Sequence, residues 1–167
     1  MTAIAPEEPE QRQQVLALNR LAFEGEDEAR IIEALSRGGL CVLSLVAVDG
    51  ATITGHILFS RLAVEVDGRQ IKTVALAPMA VLPAYQGKGI GSALIRRGLA
   101  LLAARDVEAV IVVGHTGFYQ RFGFAAERVR HIASPFQGHD AYMGLELKPG
   151  ALAGKQGTCR YPEAFAL

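Results

Sequence analysis

The most informative segment of this 167-residue chain is the glycine-rich stretch Gln-Gly-Lys-Gly-Ile-Gly-Ser at residues 86–92. Its alternating glycines let the backbone turn tightly with several N–H groups facing inward. A helix that starts directly after such a turn adds unpaired amides and the positive end of its dipole. The segment therefore predicts a phosphate-binding site. The simpler alternative is a glycine turn that packs closely against a sheet.

The spacing of the glycines separates the known kinds of phosphate loop. A P-loop for nucleoside triphosphates needs glycine at position 82 and a hydroxyl residue after Lys88, but the chain has Leu82 and Gly89 there. A dinucleotide fingerprint fits better, through Gly87, Gly89 and Ser92, although two predicted helices and several predicted strands already precede it. A dinucleotide-dependent oxidoreductase therefore remains an alternative.

Two amphipathic helices are predicted in the first 40 residues. From Pro6 to Phe23, apolar side chains recur at helical spacing, namely Val15, Leu16, Leu18, Leu21 and Ala22. The second helix begins near the acidic residues Glu26–Glu28, which suit the positive end of its dipole, and it ends at Gly38-Gly39. We expect both helices to pack on a core with their apolar faces.

Three β-strands are predicted between these helices and the glycine-rich segment. The runs Cys41–Val48 and Thr52–Phe59 flank Asp49-Gly50, which is a strong signal for an antiparallel hairpin. A third strand extends from near Ile71 to Val81. Because proline cannot donate a hydrogen bond to its neighbour, Pro78 inside this strand predicts a bulge or a splayed strand.

A parallel β-α-β unit is predicted around the glycine-rich segment. The helix Gly89–Ala104 follows the third strand, and the aliphatic block Val110–Val113 is typical of a strand covered on both faces. A short aromatic helix and a last strand at Tyr142–Leu147 come next. From Lys148 onward, repeated glycines and prolines predict an irregular tail. We expect one α/β domain, residues 1–167, with a mixed sheet.

Composition limits the classes of function. The 17 basic and 17 acidic residues cancel, which argues against attraction to nucleic acid or acidic membranes, and 50% hydrophobic residues favour a packed core over disorder. Two cysteines, Cys41 and Cys159, are too few for a disulfide scaffold. The first residues lack the pattern of a secretory signal, and no apolar run approaches the roughly 18 residues of a membrane span. We expect a cytoplasmic protein with a small-molecule partner.

The segment Gln86-x-x-Gly89-x-Gly91, preceded by Val81-x-Pro83 and followed by an apolar helix, resembles the acyl-CoA-binding motif of the GNAT N-acetyltransferase superfamily. That motif is Gln or Arg, two residues, Gly, one residue, and Gly or Ala, and every position matches. The order of predicted helices and strands is also similar to that of the family. The resemblance therefore covers most of the chain.

The end of the chain resembles a bacterial subgroup often called YhbS-type acetyltransferases, through residues 118–124, Pro149-Gly150 and residues 161–165. The resemblance implies the α/β GNAT acyltransferase fold, a mixed, mostly antiparallel sheet with a bulged, splayed central strand and flanking helices. The chain departs from the subgroup at His115 and Thr116, where its members commonly have an acidic residue followed by proline.

The resemblance implies acetyl-CoA as a cosubstrate and no metal. The backbone of Met79, Ala80 and Val81 would pair with the pantetheine arm as an added strand does. Seven consecutive residues would cradle the pyrophosphate with their amides, namely Gln86, Gly87, Lys88, Gly89, Ile90, Gly91 and Ser92. Lys88 would add positive charge near the phosphates, or it is an exposed solubilising lysine.

Two catalytic groups follow from the resemblance. Tyr119 would act as the general acid that protonates the leaving thiolate, since a tyrosine pKa near 10 suits that task. The alternative is a core aromatic residue whose hydroxyl binds the backbone. The bulge at Pro78 would leave a strand amide, that of Met79 or a neighbour, free to stabilise the oxyanion.

The acceptor side of the reaction is less defined. Residues 74–81 carry no acidic side chain that could serve as a general base, so water can take the proton of the amine. Glu24, Glu26 and Asp27 are candidates for binding a cationic amine, and the alternative is a solvated helix start. His56 and His115 can titrate near neutral pH, although such histidines are more often structural.

These observations lead to one functional hypothesis and, besides the dinucleotide-dependent oxidoreductase, one alternative of a different class. The hypothesis is an acetyl-CoA-dependent N-acetyltransferase that moves the acetyl group directly from the thioester to a small-molecule or peptide amine. The alternative is a non-catalytic coenzyme A-binding sensor or interaction module. The apolar composition and the tail Tyr161–Leu167 also suit a homodimer contact.

Overall fold

The computed structural model describes residues 2–165, in which the contacts cluster into two units. Within this range, the first unit holds the residues up to Ser60 together with Ala77–Ala100. The second holds Arg61–Leu76 together with the residues from Leu101 onward. No helix in residues 2–165 is long and apolar enough to cross a membrane.

The first unit contains strands β1 (Thr2–Pro6) and β2 (Cys41–Asp49) and parts of β3 (Thr52–Val66) and β4 (Arg69–Val81), hydrogen-bonded in that order. β2 is antiparallel to both β1 and β3. The turn between β2 and β3 includes Gly50, whose φ of +61° is left-handed. This pairing confirms the predicted hairpin.

Strand β1 is absent from the sequence prediction, which placed the start of a helix at Pro6. The structure pairs Thr2 with Asp49 and Pro6 with Leu45, and a short 3-10 turn at Pro9–Gln11 then leads into the first helix. β1 is largely exposed at the edge of the sheet, so it lacks the apolar alternation that marks a strand in a sequence. Its hydrogen bonds come from β2, far along the chain.

Helix α1 (Arg12–Phe23) buries Val15, Leu16 and Leu18 as predicted, but Leu21 is 61% exposed, so its predicted place on the apolar face is wrong. At about 100° per residue, Leu21 lies about 140° from the centre of the buried face. Asn19 is buried on that face instead.

Two further helices agree with the sequence prediction. α2 (Asp27–Arg37) buries Ala29, Ile32 and Leu35 and ends at Gly38. α3 (Ile90–Ala103) follows β4 and buries an apolar stripe that consists of Ile90, Leu94, Ile95 and Leu102. Both helices therefore bury one apolar face, as expected of amphipathic helices.

The second unit contains β5 (Ala109–Val113), which is parallel to β4, and β7 (Tyr142–Glu146), which is antiparallel to β5. The parallel pairing of β4 and β5 on either side of α3 in the chain confirms the predicted β-α-β unit. Residues 109–112 are at most 2% exposed, as expected of a strand covered on both faces. Val113, the last residue of the predicted block Val110–Val113, is 38% exposed at the end of the strand, so the prediction is wrong there. The short helix α4 (Thr116–Tyr119) continues as a 3-10 turn at Gln120–Phe122.

The tail after Lys148 is more regular than its composition predicts, and this part of the prediction is wrong. Strand β8 (Gly157–Arg160) pairs with the second half of β3 and, in parallel, with the two-residue strand β6 (Ile132–Ala133). The glycines and prolines lie outside β8 except for Gly157, its first residue, and tertiary pairing supplies the hydrogen bonds of the strand. The ring of Tyr161 packs on Phe136, whereas residues 166 and 167 of the predicted dimer tail lie outside the described range.

Gly98 allows helix α3 to approach strand β3 closely. A Cβ at Gly98 would lie 2.5 Å from Cε2 of the buried ring of Phe59. We expect Gly98→Val to lower the free energy of unfolding by about 2–3 kcal/mol through overpacking, as measured by urea unfolding. Gly38→Ala is the control, because a Cβ there makes only ordinary contacts from 3.4 Å. Equal stability of Gly98→Val and the wild type would contradict this close packing.

Candidate active site

The glycine-rich segment forms a turn directly before helix α3. Gly87 and Gly89 have φ angles of +77° and +84°, in the left-handed region that favours glycine. The amide of Ala93 donates to the carbonyl of Gly89 at 3.0 Å. The amides of Ile90, Gly91 and Ser92 precede this bond, so they have no acceptor within the helix. The turn and the helix start therefore offer N–H groups to an anion.

Gln86 fastens this turn to the end of strand β4. Its side-chain Nε2 donates to the carbonyl of Val81 at 3.0 Å, and its own amide donates to Pro83 at 3.4 Å. The amide of Leu82 donates to the carbonyl of Thr54 in β3 at 2.8 Å. The glycine spacing predicts a role only for the main-chain amide of Gln86, so the hydrogen bond of its side chain to Val81 was not predicted.

Lys88 is exposed in the same turn. Its Nζ lies 5.3 Å from the centre of the Tyr85 ring, within the range of a cation–π contact. This contact keeps the positive charge next to the backbone amides of the turn.

The end of β4 carries the predicted pantetheine-binding residues. Ala80 is buried, while Met79 and Val81 are half-buried. Pro78 lies within the strand and has no N–H to donate. The free amide predicted at Met79 remains a prediction.

Gly55 in β3 brings the start of α3 close to the sheet, and sequence analysis did not single it out. A Cβ at Gly55 would lie 2.9 Å from Cγ2 of Ile90 and 3.1 Å from Cδ1 of Leu94. The absence of a side chain at Gly55 thus determines how near the amides of the helix start lie to the strands. Strand glycines often mark such close approaches, and this is the signal that could have identified it.

Tyr119 is the last residue of α4, and its ring is enclosed by aromatic residues. It makes edge-to-face contacts with Phe118, at 5.1 Å between ring centres, and with Phe124, at 5.8 Å. Burial raises the pKa of the Tyr119 hydroxyl above its ordinary value. Within residues 2–165, no hydrogen bond engages this hydroxyl. The alternative role of Tyr119 is a core aromatic residue whose hydroxyl binds the backbone. The described residues do not show the hydrogen bond that this role requires.

The predicted acceptor-binding acids lie between α1 and α2 and are exposed. Glu24 ends α1 in a left-handed conformation, with a φ of +54°. Glu26 forms an ion pair with Arg20, at 2.8 Å between Oε2 and Nε, and Asp27 pairs with Arg30. Both pairs are exposed to solvent, where an ion pair contributes little to stability, and the acceptor-binding role of the three acids remains a prediction.

His56 is buried in a chain of hydrogen bonds that belongs to the first unit. Ser44 donates to Glu7 at 2.7 Å, so Nε2 of His56 must donate to Ser44, at 3.0 Å, and Nδ1 must accept from Asn19, at 3.2 Å. Arg12 donates to both carboxylate oxygens of Glu7. Burial lowers the pKa of His56 to about 4, which keeps the ring neutral. His56 is therefore a structural histidine.

His115 is exposed at the start of α4 and acts through its backbone. Its carbonyl accepts hydrogen bonds from the amides of Phe118, at 3.2 Å, and Tyr119, at 3.1 Å. Its side chain makes no capping bond to the helix. These hydrogen bonds involve only the main chain of His115, so they do not require a particular side chain at this position.

Comparison with known proteins decides the family. A family model described as an acetyltransferase (GNAT) domain matches residues 4–126. The uncharacterized N-acetyltransferase YhbS of Escherichia coli K12 is 33% identical over 151 residues, which cover 89% of this chain and 89% of that protein. The chain belongs to the GNAT acetyltransferase family. The resemblance inferred from the motif and from the end of the chain is thereby confirmed.

Two solved GNAT structures are similar to the chain over nearly its whole length. YhbS from Escherichia coli in complex with CoA has a TM-score of 0.90 at 32% identity, covering 99% of this chain and 92% of that one. A GNAT family acetyltransferase from Brucella melitensis in complex with acetyl-CoA has a TM-score of 0.82 at 31% identity, covering 99% and 98%. They confirm the GNAT fold class, with its mixed, mostly antiparallel sheet and flanking helices.

Proposed function

We propose that this GNAT chain is an acetyl-CoA-dependent N-acetyltransferase that transfers the acetyl group directly to the amine of a small molecule or peptide. The observation that carries the proposal is the left-handed glycine turn before α3, with amides that have no acceptor in the helix. CoA and acetyl-CoA in the two similar GNAT structures support this choice of ligand.

The pyrophosphate of acetyl-CoA would bind the amides of the turn and the helix start. Gln86 would maintain the shape of the turn through its bond to Val81. Lys88 would add a positive charge beside the phosphates. The backbone of Met79, Ala80 and Val81 would pair with the pantetheine arm as an added strand.

The chemistry requires few protein groups, because the orientation of two bound reactants can supply about 7–11 kcal/mol of the barrier. The amine nitrogen would attack the thioester carbonyl, and the amide of Met79 would stabilise the oxyanion. As the carbon–nitrogen bond forms and the carbon–sulfur bond breaks, Tyr119 would give its proton to the departing sulfur.

The acceptor would carry a positive charge before it reacts. Glu24, Glu26 and Asp27 would attract an ammonium group, and water would take its proton because residues 74–81 hold no carboxylate. Loss of this proton makes the nitrogen lone pair available for attack.

Gly89→Ala tests the anion site. An alanine at a φ of +84° costs about 1–2 kcal/mol, so the substituted turn should open and weaken acetyl-CoA binding by about tenfold or more in titration calorimetry. Gly138→Ala is the matched control, since Gly138 has a φ of +88° and equally open surroundings. Wild-type protein without saturable binding, or equal affinity of Gly89→Ala and wild type, would contradict the proposed site.

Release of free thiol from acetyl-CoA with a panel of amines tests the transfer itself. We expect release that depends on both the enzyme and the amine. Saturable acetyl-CoA binding without release for any amine of the panel would contradict the enzyme and favour the coenzyme A sensor.

A further inference from the structure

Gly114, directly after strand β5, lies against the ring of Tyr119. A Cβ at Gly114 would lie 2.6 Å from Cε2 of Tyr119, 3.2 Å from Cδ2 and 3.6 Å from Cζ. The first distance is shorter than carbon–carbon van der Waals contact by about 1 Å. The tyrosine ring therefore occupies the space that a side chain at position 114 would need.

The ring has little freedom to move away from Gly114. Phe118 and Phe124 meet it edge-to-face, and Phe124 is only 1% exposed. The amide of Tyr119 is bound to the carbonyl of His115. Gly114 is itself held in place, because its amide donates to the carbonyl of Ala141 at 3.0 Å. Both sides of the contact are thus anchored.

We propose that Gly114 is a positioning residue for the general acid Tyr119, an inference that rests on the proposed function. The missing side chain lets the Cε2 edge of the ring lie against the end of β5, and this placement sets where the hydroxyl proton is delivered. A methyl group at position 114 would tilt the ring and displace the hydroxyl at its far end. Displacements of about 1 Å can reduce a catalysed rate by about 100-fold.

Gly114→Ala is the direct test. We expect kcat for thiol release to fall by about 100-fold while the Kd for acetyl-CoA stays within about twofold. In a chain that already carries Tyr119→Phe, the same substitution should cause no further loss of rate, because the group that it displaces is gone. Unchanged kcat in Gly114→Ala, or an equal loss in both backgrounds, would overturn the proposal.

Gly144→Ala is the matched control for crowding. A Cβ there would lie 2.8 Å from Cγ1 of Val129 and 2.9 Å from Cδ1 of Leu152, so the overlap is similar but does not involve Tyr119. We expect a loss of stability with kcat retained within about threefold of the wild type. A loss of kcat as large as that of Gly114→Ala would assign the effect to general crowding and overturn the proposal.

A stability cycle covers the case in which Gly114→Ala does not fold. If the methyl collides with the ring, Gly114→Ala combined with Tyr119→Ala should be as stable to urea as Tyr119→Ala alone. A double variant that remains unfolded would overturn the contact. This cycle needs no activity, so it tests the contact even if the wild type releases no thiol with any amine. A wild type that releases no thiol with any amine would contradict the proposed function and, with it, the positioning role of Gly114.

Discussion

Replacing Tyr119 by phenylalanine is expected to lower kcat by about 10²- to 10⁴-fold while the Kd for acetyl-CoA changes by less than about twofold. The substitution removes the proton donor and keeps the ring that packs on Phe118 and Phe124. Because burial raises the pKa of the hydroxyl, the wild type should keep its donor protonated into the alkaline range. Single-turnover measurement of thiol release, with calorimetry of acetyl-CoA binding, checks both expectations.

Tyr142→Phe is the control for this experiment. Tyr142 is also buried, but its hydroxyl donates to the carbonyl of Ile132 at 3.2 Å and has no assigned part in catalysis. Its loss should reduce stability by about 1 kcal/mol and leave kcat unchanged. Tyr119→Phe with wild-type kcat would remove Tyr119 from the mechanism.

Acidification from pH 7 to pH 4 is expected to destabilise the fold by about 3 kcal/mol through His56 alone. The pKa of His56 is about 4 in the folded chain, against an ordinary value of 6.5 for histidine. Between these values the unfolded chain binds a proton that the folded chain does not. The stability contributed by neutral His56 is therefore complete above pH 6.5, falls as the pH drops to 4, and then levels off.

The hydrogen-bond chain explains why His56 resists the proton. Nδ1 of His56 accepts a hydrogen bond from the side-chain Nδ2 of Asn19. Protonation of Nδ1 would break this bond and place two N–H donors against each other. Glu7 should extend the loss of stability to lower pH. Burial alone would raise its pKa, but hydrogen bonds from Arg12 and Ser44 outweigh burial and lower it. Protonation of this carboxylate below its usual range should cost further stability.

Urea unfolding followed by far-UV circular dichroism at pH 7, 5.5 and 4 measures this dependence. His56→Gln should flatten the slope between pH 6.5 and 4, and His139→Gln, at an exposed position, should retain it. A slope in His56→Gln equal to that of the wild type would assign the acid sensitivity to other groups.

The parts of the fold that local chemistry encodes were predictable. Asp49-Gly50 is a turn signal that depends on backbone conformation alone, and the hairpin forms there. Val110, Ile111 and Val112 are buried, as a run without polar positions predicts, whereas Val113 at the end of the strand is exposed. β1 and β8 were missed because their strand pairing, rather than their own residues, stabilises them.

In the candidate site, too, the features that depend on local sequence were predictable, and those that depend on tertiary contacts were not. The turn at residues 86–92 was predictable because glycine spacing and a following helix are local properties. The tether from Gln86 to Val81, the close approach at Gly55 and the contact between Gly114 and Tyr119 depend on distances that only the folded chain brings about. The residue types at Gln86, Gly55 and Gly114 do not by themselves indicate these contacts, because each contact also depends on the residue that the fold places beside it.

The hydrogen bond between the Gln86 side chain and the Val81 carbonyl would affect how quickly and how tightly the proposed site binds an anion. The turn is preorganised by the protein itself, since a side chain rather than a ligand closes it. In the proposed binding of acetyl-CoA, the pyrophosphate would therefore meet a turn that is already closed and would lose little affinity to loop ordering. Its association should proceed in one kinetic phase, without a slow rearrangement after the first encounter.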